Sequence, residues 1–334
     1  MNPVLSVAVA CYNVENYLNK CLASFSDERF NGRLQVIVVN DGSKDSTLSI
    51  ARKYESEYPE IFEIVDKENG GHGSAVNVAI SKAKGKYFRI VDGDDWVNTD
   101  GMAQLLSFME ETDCDMIIDN KREVDMLSGE TVYFPLPAVV NADREYDFKN
   151  ICNNRDVYAN VMIHTASVKT SILQENNIRV LEGVFYEDIE YVIKATARVK
   201  TVVFKDIEVY QYLVGNANQS VSLTNYVKRY SQHSLVTNEL IKFASGFECD
   251  REIKEYLINR VALLINTNIN ISLLYNDNRK EGRALAKEFR GNLKTANREL
   301  YSATKKRYAV AYTLNLFGIG YKKLTKIKSI LHRG

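Results

Sequence analysis

Three carboxylates fall within four residues at Asp92-Gly93-Asp94-Asp95, directly behind the apolar run Tyr87–Val91. Like charges so close repel unless a cation sits among them. Hard oxygen donors of this kind suit Mg²⁺ or Mn²⁺, which keep several waters and bridge to substrate phosphates. The same residues also fit a solvated turn ahead of a helix that starts near Asn98. Asp41 stands just past the run Leu34–Val39, where a carboxylate can accept a hydrogen bond from a base or a ribose. The residues after it, Gly42 to Thr47, read as a turn and a helix cap at Asp45 or Ser46. Asn69-Gly70-Gly71-His72-Gly73 is a glycine-rich turn opening a helix, a setting that suits a phosphate.

These residues need a scaffold that brings them together. The runs Leu5–Ala10, Leu34–Val39, Phe62–Val65 and Tyr87–Val91 are short and rich in β-branched residues, as buried parallel strands are. Helical patterns lie between them at Glu15–Phe25, Ser46–Tyr58 and Ser74–Ala83. The order predicts an α/β fold with a doubly wound, mostly parallel sheet. Each strand is followed by a polar cluster: Tyr12-Asn13, Asp41-Gly42-Ser43, the glycine-rich turn, and the three acids. In open α/β sheets ligands bind outside the strand carboxyl ends, so four clusters converge on one site. Further on, Met116–Ile118, Val202–Phe204 and Val209–Tyr212 read as strands, and Ile189–Val199 as a helix beginning at Glu187-Asp188. An acid at a helix start is by itself an N-cap. From Tyr226 the pattern is helical, over Tyr226–Phe243, Glu252–Leu274 and Lys280–Leu300. The expected division is therefore a catalytic-type domain at 1–225, with halves 1–95 and 96–225, and an all-α region at 226–334.

Composition narrows the class. The chain has 334 residues, 45% apolar and 26% charged, enough for a large domain with an appendage. Five scattered cysteines without a CxxC pair argue against a zinc ribbon or a disulfide framework and fit a reducing compartment. The first apolar run reads as a strand, not a signal peptide. His164, His233 and His332 are isolated, with no HxxH or HExxH spacing, so a histidine-bound metal is not expected. GxSxG and GxxxxGK[ST] are absent, which removes the usual hydrolase and P-loop readings.

The segments Ser6–Leu18, Val38–Thr47 and Asp92-Gly93-Asp94-Asp95-Trp96, with Asn176–Asp188 later, closely resemble the family 2 glycosyltransferases of GT-A fold. The resemblance covers about 1–215. It implies that Ala10, Tyr12 and Asp41 hold the nucleotide, that Asp92 contacts ribose or diphosphate, and that Asp94 ligates the divalent metal, Mg²⁺ or Mn²⁺. It implies Asp188 as general base with Glu187 beside it. The family usually has proline where Ala10 stands, and often an arginine where Val76 stands. His72, or the Gly70–Gly73 amides with Asn69 and Gly71, is expected to meet the donor phosphates instead. A loop over the diphosphate is expected near Asn216–Ser222, without an arginine.

The chemistry implied is transfer of a sugar from a nucleotide-sugar, UDP by default, to a hydroxyl of a saccharide or lipid-linked saccharide. An acceptor hydroxyl needs a base near neutral pH, and the leaving diphosphate needs its charge offset. One base and no covalent intermediate mean inversion. Two other readings stand beside it: a non-catalytic nucleotide-sugar-binding protein, and a nucleotidyltransferase, which would want a Lys/Arg phosphate grip after the first strand. Eight of the 43 basic residues lie in 301–334 with no acid among them, leaving 35 against 43 acids in the rest. From Tyr321, Leu324, Ile327 and Leu331 recur at helical spacing with lysines elsewhere around the helix. That pattern predicts peripheral attachment to an anionic membrane surface, or a helix packed through its apolar face. A cytoplasmic setting and no nucleic acid partner are expected.

Overall fold

The computed structural model describes residues 2–215 and 222–331. Residues 216–221 of the loop expected near Asn216–Ser222, and His332 and Arg333 of the basic tail, lie outside them. The chain divides into two units, Met1–Ala217 and Asn218–Gly334, so the division falls ahead of the expected residue 225.

In the first unit β1 (Leu5–Cys11), α1 (Glu15–Ala23), β2 (Leu34–Asp41), α2 (Thr47–Glu57), β3 (Phe62–Lys67), α3 (His72–Lys82) and β4 (Tyr87–Asp92) alternate as the periodicity predicts. They are followed by β5 (Trp96–Val97), α4 (Thr99–Glu111), β6 (Met116–Asp125), β7 (Thr131–Phe134) and β8 (Glu145–Asp147). Then come α5 (Phe148–Ile151), α6 (Arg155–Asn160), β9 (Ala166–Lys169), α7 (Thr170–Glu175), α8 (Glu187–Thr196) and β10 (Thr201–Val214). All ten strands form one sheet, ordered β3-β2-β1-β4-β9-β6-β10-β5, with β7 on β6 and β8 on β10. β1 runs parallel to β2 and β4, β2 to β3, and β6 to β10. The short β9 pairs antiparallel with both β4 and β6 and joins the two parallel groups. The two strands expected at 202–204 and 209–212 are one, with register shifts between Phe204 and Tyr210.

Burial explains the order. All eight residues of β2 are buried, and α1 seats Leu18, Cys21 and Leu22 against the sheet. α4 adds Met102, Leu105, Leu106 and Met109. Burying one such side chain fully is worth about 1.5–3 kcal/mol, which offsets the entropy of ordering the strands. The register sets the site: Ala10 lies opposite both Val39 and Asp92, and Asp41 opposite Lys67, so these residues share the carboxyl edge.

The second unit is helical, with α9 (Leu223–Lys228), α10 (Tyr230–Gly246) and α11 (Arg251–Asn270), the last running into a π-helical turn at Ile271–Tyr275. It continues through α12 (Arg279–Ala296), α13 (Arg298–Ala303), α14 (Lys305–Leu316) and α15 (Tyr321–Leu331). Arg251–Tyr275 is long and apolar enough to cross a membrane, but 61% of its most apolar window is buried inside the protein, as in a core helix. The basic tail passes through α14 and, after a turn with Gly318 at φ 71°, into α15 from Tyr321. α14 is docked: Asn315 is buried and donates to the Leu273 carbonyl at 2.7 Å.

Candidate active site

The first wall is a pair of interlocked loops. Asn13, at φ 53°, donates its amide to Ser43 Oγ at 3.0 Å, and its side-chain oxygen accepts from Lys44 N at 2.8 Å. Val14 N donates to Thr47 Oγ1, Glu15 N to Asp45 Oδ2, and Ser46 N to Glu15 Oε2. Asp45 and Ser46 thus join the two loops as well as opening α2. Beside this seam Tyr12 is 51% exposed, an aromatic face open to a ligand, with Ala10 half-buried behind it.

Asp41 differs from the expectation. It is buried, and its Oδ1 accepts from Lys67 Nζ at 2.6 Å and Gly70 N at 2.9 Å, while Oδ2 accepts from Gly71 N at 2.7 Å. Its carboxylate therefore anchors the glycine-rich turn, and the amides of Gly70 and Gly71 are already hydrogen-bonded. Asn69 donates to the Asp41 carbonyl at 2.8 Å and completes the anchor. Gly71 needs its residue type: its φ is +85°, and a Cβ there would come within 3.0 Å of Gly183 N. Gly183 N in turn donates to the Gly70 carbonyl at 2.7 Å, which ties the 180–183 segment to the turn. Asn77 extends the tie, donating to the Val180 carbonyl and Glu182 Oε1 and accepting from Val180 N.

His72 links the two sets of acids. Its Nε2 lies 3.0 Å from Asp92 Oδ1 and its Nδ1 2.7 Å from Glu187 Oε1. Burial alone would lower the imidazole, but the two carboxylates outweigh it and hold its pKa well above the usual value. Asp92 responds in the opposite sense: burial opposes its charge, yet His164 and His72 hold it far below the usual carboxylate range. Glu187 is buried against His72, whereas Asp188, the next residue of α8, is half-buried. Burial and the neighbouring Glu187 push the Asp188 carboxyl up. Tyr186, in the left-handed region at φ 76°, turns the chain into α8 and places this acid pair.

The three clustered acids have separate fates. Asp95 is buried and accepts from Tyr210 Oη at 2.6 Å and Leu213 N at 2.7 Å, so it fastens β10 to the turn. Asp94 has no ion-pair partner among the described residues, and burial and then Asp92 push it up to about 6. His164 was not expected here. Its Nε2 lies 3.9 Å from Asp92 Oδ2, its ring packs on Tyr210 and Tyr212 at 4.8 and 4.7 Å, and its Nδ1 is buried without a partner. Asp92, Asp95 and His164 bring one donor atom each within 4.8 Å of one another. Two carboxylates and an imidazole drawn this close fit a divalent ion such as Mn²⁺ or Mg²⁺. Asp92, Asp95 and His164 stand close enough to hold it, whereas Asp94 is the ligand that the resemblance implies. His164, isolated in the sequence, is thus brought beside Asp92, because β9, which follows it, pairs with β4 and β6.

Beneath His164 lies an ion pair the sequence reading missed. Arg89 and Asp119 are both fully buried and form a two-pronged pair, and Arg89 also donates to the His164 carbonyl. Burial pushes Asp119 up to about 6 against the pull of Arg89. A charged residue inside the run Tyr87–Val91, and another just after Met116–Ile118, was the available signal, since buried charges come in pairs. For His164 the sequence carries no comparable signal.

Residues 6–167 match the family described as Glycosyl transferase family 2. The chain is 36% identical over 112 residues to the putative glycosyltransferase EpsH of Bacillus subtilis, covering 33% of this chain and 32% of that one. It is 28% identical over 176 residues to the poly(ribitol-phosphate) beta-N-acetylglucosaminyltransferase TarS of Staphylococcus aureus, covering 52% and 29%. The matches thus span about a third of each relative's length. Among solved structures, S. aureus TarS 1–349 in complex with UDP-GlcNAc superposes with a TM-score of 0.58 at 19% identity, over 95% of this chain and 93% of that one. The mannosyltransferase PcManGT of Pyrobaculum calidifontis, in complex with GDP-Man and Mn²⁺, gives 0.55 at 17% identity over 95% and 85%. At those identities the likeness is one of fold. Sequence match and sheet order agree: residues 6–167 are similar to the glycosyl transferase family 2 domain, and the first unit has a GT-A fold.

Proposed function

We propose that the chain is an inverting, metal-dependent glycosyltransferase that moves a sugar from a nucleotide-sugar to a hydroxyl of a saccharide or lipid-linked saccharide. One observation carries the reading: the imidazole ring of His72 bridges Asp92 at the β4 end and Glu187 beside Asp188. It ties the acids on the donor side to the acid suited to act as base. Asp188, half-buried with a raised pKa, takes the proton of the acceptor hydroxyl as the oxygen attacks the anomeric carbon. Tyr12 offers a face for the base of the donor, next to the Asn13 seam. A divalent ion at Asp94 would offset the charge that develops on the leaving diphosphate. Glu187 and His72 orient the donor side without touching the acceptor. The likeness to TarS with UDP-GlcNAc supports UDP as nucleotide, and the names of the curated relatives support cell-envelope polysaccharide as product. The basic tail supports a place on an anionic, cytoplasmic membrane surface.

Release of free nucleotide from UDP-, GDP- and dTDP-sugars with Mn²⁺ and saccharide acceptors tests this. Asp188→Asn is expected to lower kcat by about 10²–10⁴ while leaving donor binding intact. Donor binding without turnover of any donor by the parent protein would favour a non-catalytic binder.

A further inference from the structure

The helical unit contains a cavity of about 580 Å³, bounded by α9, the π-helical turn, the start of α12 and the elbow between α14 and α15. Its floor is apolar, with Leu223, Val227, Leu273 and Ile319. Its rim carries Lys228, Arg279, Lys322 and Lys323 against one acid, Asp277. Only Lys322 reaches that acid, at 3.8 Å between exposed groups. Among the described residues the other three cations have no ion-pair partner. Arg279 lies against the elbow, its guanidinium next to Gly318, which has φ +71°. Tyr275 and Tyr321 close one side edge to face, 5.1 Å apart.

Outside the cavity the same elbow presents Leu316 and Phe317, 57% and 78% exposed. Two adjacent large apolar side chains in water are unfavourable relative to burial. Beside unpaired cations, they match the interfacial pattern of apolar insertion with electrostatic attraction to anionic lipid. A free phosphate would satisfy the rim but leave the apolar floor wet and Phe317 exposed. A lipid phosphate satisfies rim, floor and elbow together.

We propose that this cavity binds the phosphate headgroup of an anionic lipid, held by Arg279, Lys228 and Lys323, with Leu316 and Phe317 entering the bilayer beside it. The proposal rests on the membrane-surface reading above and moves the contact from the last helix to the α14–α15 elbow. No bond is made or broken.

Co-sedimentation of the whole chain with phosphatidylcholine vesicles, with and without phosphatidylglycerol, tests it. Binding is expected only with phosphatidylglycerol. Removing two rim cations with Lys228→Gln and Arg279→Gln is expected to weaken it about tenfold or more, since each basic residue near an anionic leaflet is worth about 1 kcal/mol. Phe317→Ser is expected to weaken it comparably. Lys305→Gln with Lys306→Gln removes the same charge away from the cavity and is expected to change it far less. Lys323→Gln serves as a second rim variant should the double variant lose its circular dichroism spectrum. Equal losses from both charge pairs overturn the cavity but leave membrane attachment standing, whereas no pelleting with any vesicle overturns both. Displacement by inorganic phosphate, with Phe317→Ser binding like the parent, shows a soluble-anion site and overturns the lipid assignment.

Discussion

At the scale of single residues, the site stores unfavourable charge that a ligand can relieve. Asp94 titrates near 6 because burial and Asp92 resist its ionisation. An acid whose pKa is raised on folding costs stability once the pH passes the unfolded value of about 3.9, and the full cost is present above about pH 6. Asp94→Asn is therefore expected to melt higher than the parent at pH 7 without metal, and no differently at pH 4. For a gain of about 1 kcal/mol the difference is roughly 2–4 °C. The same variant is expected to lose the stabilisation that Mn²⁺ gives the parent, which reaches about 2.7 kcal/mol at a hundredfold excess over Kd. Calorimetry at the two pH values, with and without Mn²⁺, measures both effects; a variant that melts lower than the parent at pH 7 contradicts the charge assignment. Asp188 follows the same sign: turnover is expected to fall as the pH drops through a value above the usual carboxylate range.

At the scale of elements, the placement of the base depends on how closely α3 approaches the 180–183 segment. Gly73 sits in the first turn of α3, and a Cβ there would run into the Leu181 carbonyl, a backbone atom that cannot rotate away. Gly73→Ala is expected to cost about 1–3 kcal/mol and to lower kcat more than it raises donor KM, because it displaces the segment leading to Asp188. An unchanged kcat in a destabilised variant would show that α8 is held independently of α3. The strands β1 to β4 and their polar ends were readable because each is a β-branched run closed by a turn. β5, β8 and β9 were not: each has two to four residues, and only pairing across the sheet makes them strands. His164 was hidden for that reason, since β9, which follows it, pairs with β4 and β6 through contacts far apart in sequence. Asp41 was legible as a site residue but not as the anchor of the glycine-rich turn, a role set by Lys67, Gly70 and Gly71 rather than by the residues beside it.

At the scale of the whole molecule, the chain carries two units of different chemistry. The first gathers acids at a sheet edge; the second gathers unpaired cations around an apolar floor. UDP with Mn²⁺ is expected to slow hydrogen exchange at residues 12–14, 92–95 and 180–188. Anionic vesicles are expected to slow it at 223–228 and 315–323 instead. Mass-resolved exchange reads both at once, and protection of the second set by UDP alone would contradict the separation.

The Arg89–Asp119 pair has a consequence for how this protein tolerates change. Neither residue faces the site, and both are wholly enclosed. Losing one strands the other's charge, at about 3–5 kcal/mol, while replacing both with apolar residues of matched size is often neutral. A single-substitution screen would therefore score both positions as indispensable and invite their confusion with catalytic groups. A library that varies them jointly, Arg89→Met with Asp119→Leu among its members, is expected to recover folded protein, with any remaining deficit confined to the His164 backbone that Arg89 holds. In a drifting lineage the two positions would be locked against stepwise change and free only to change together.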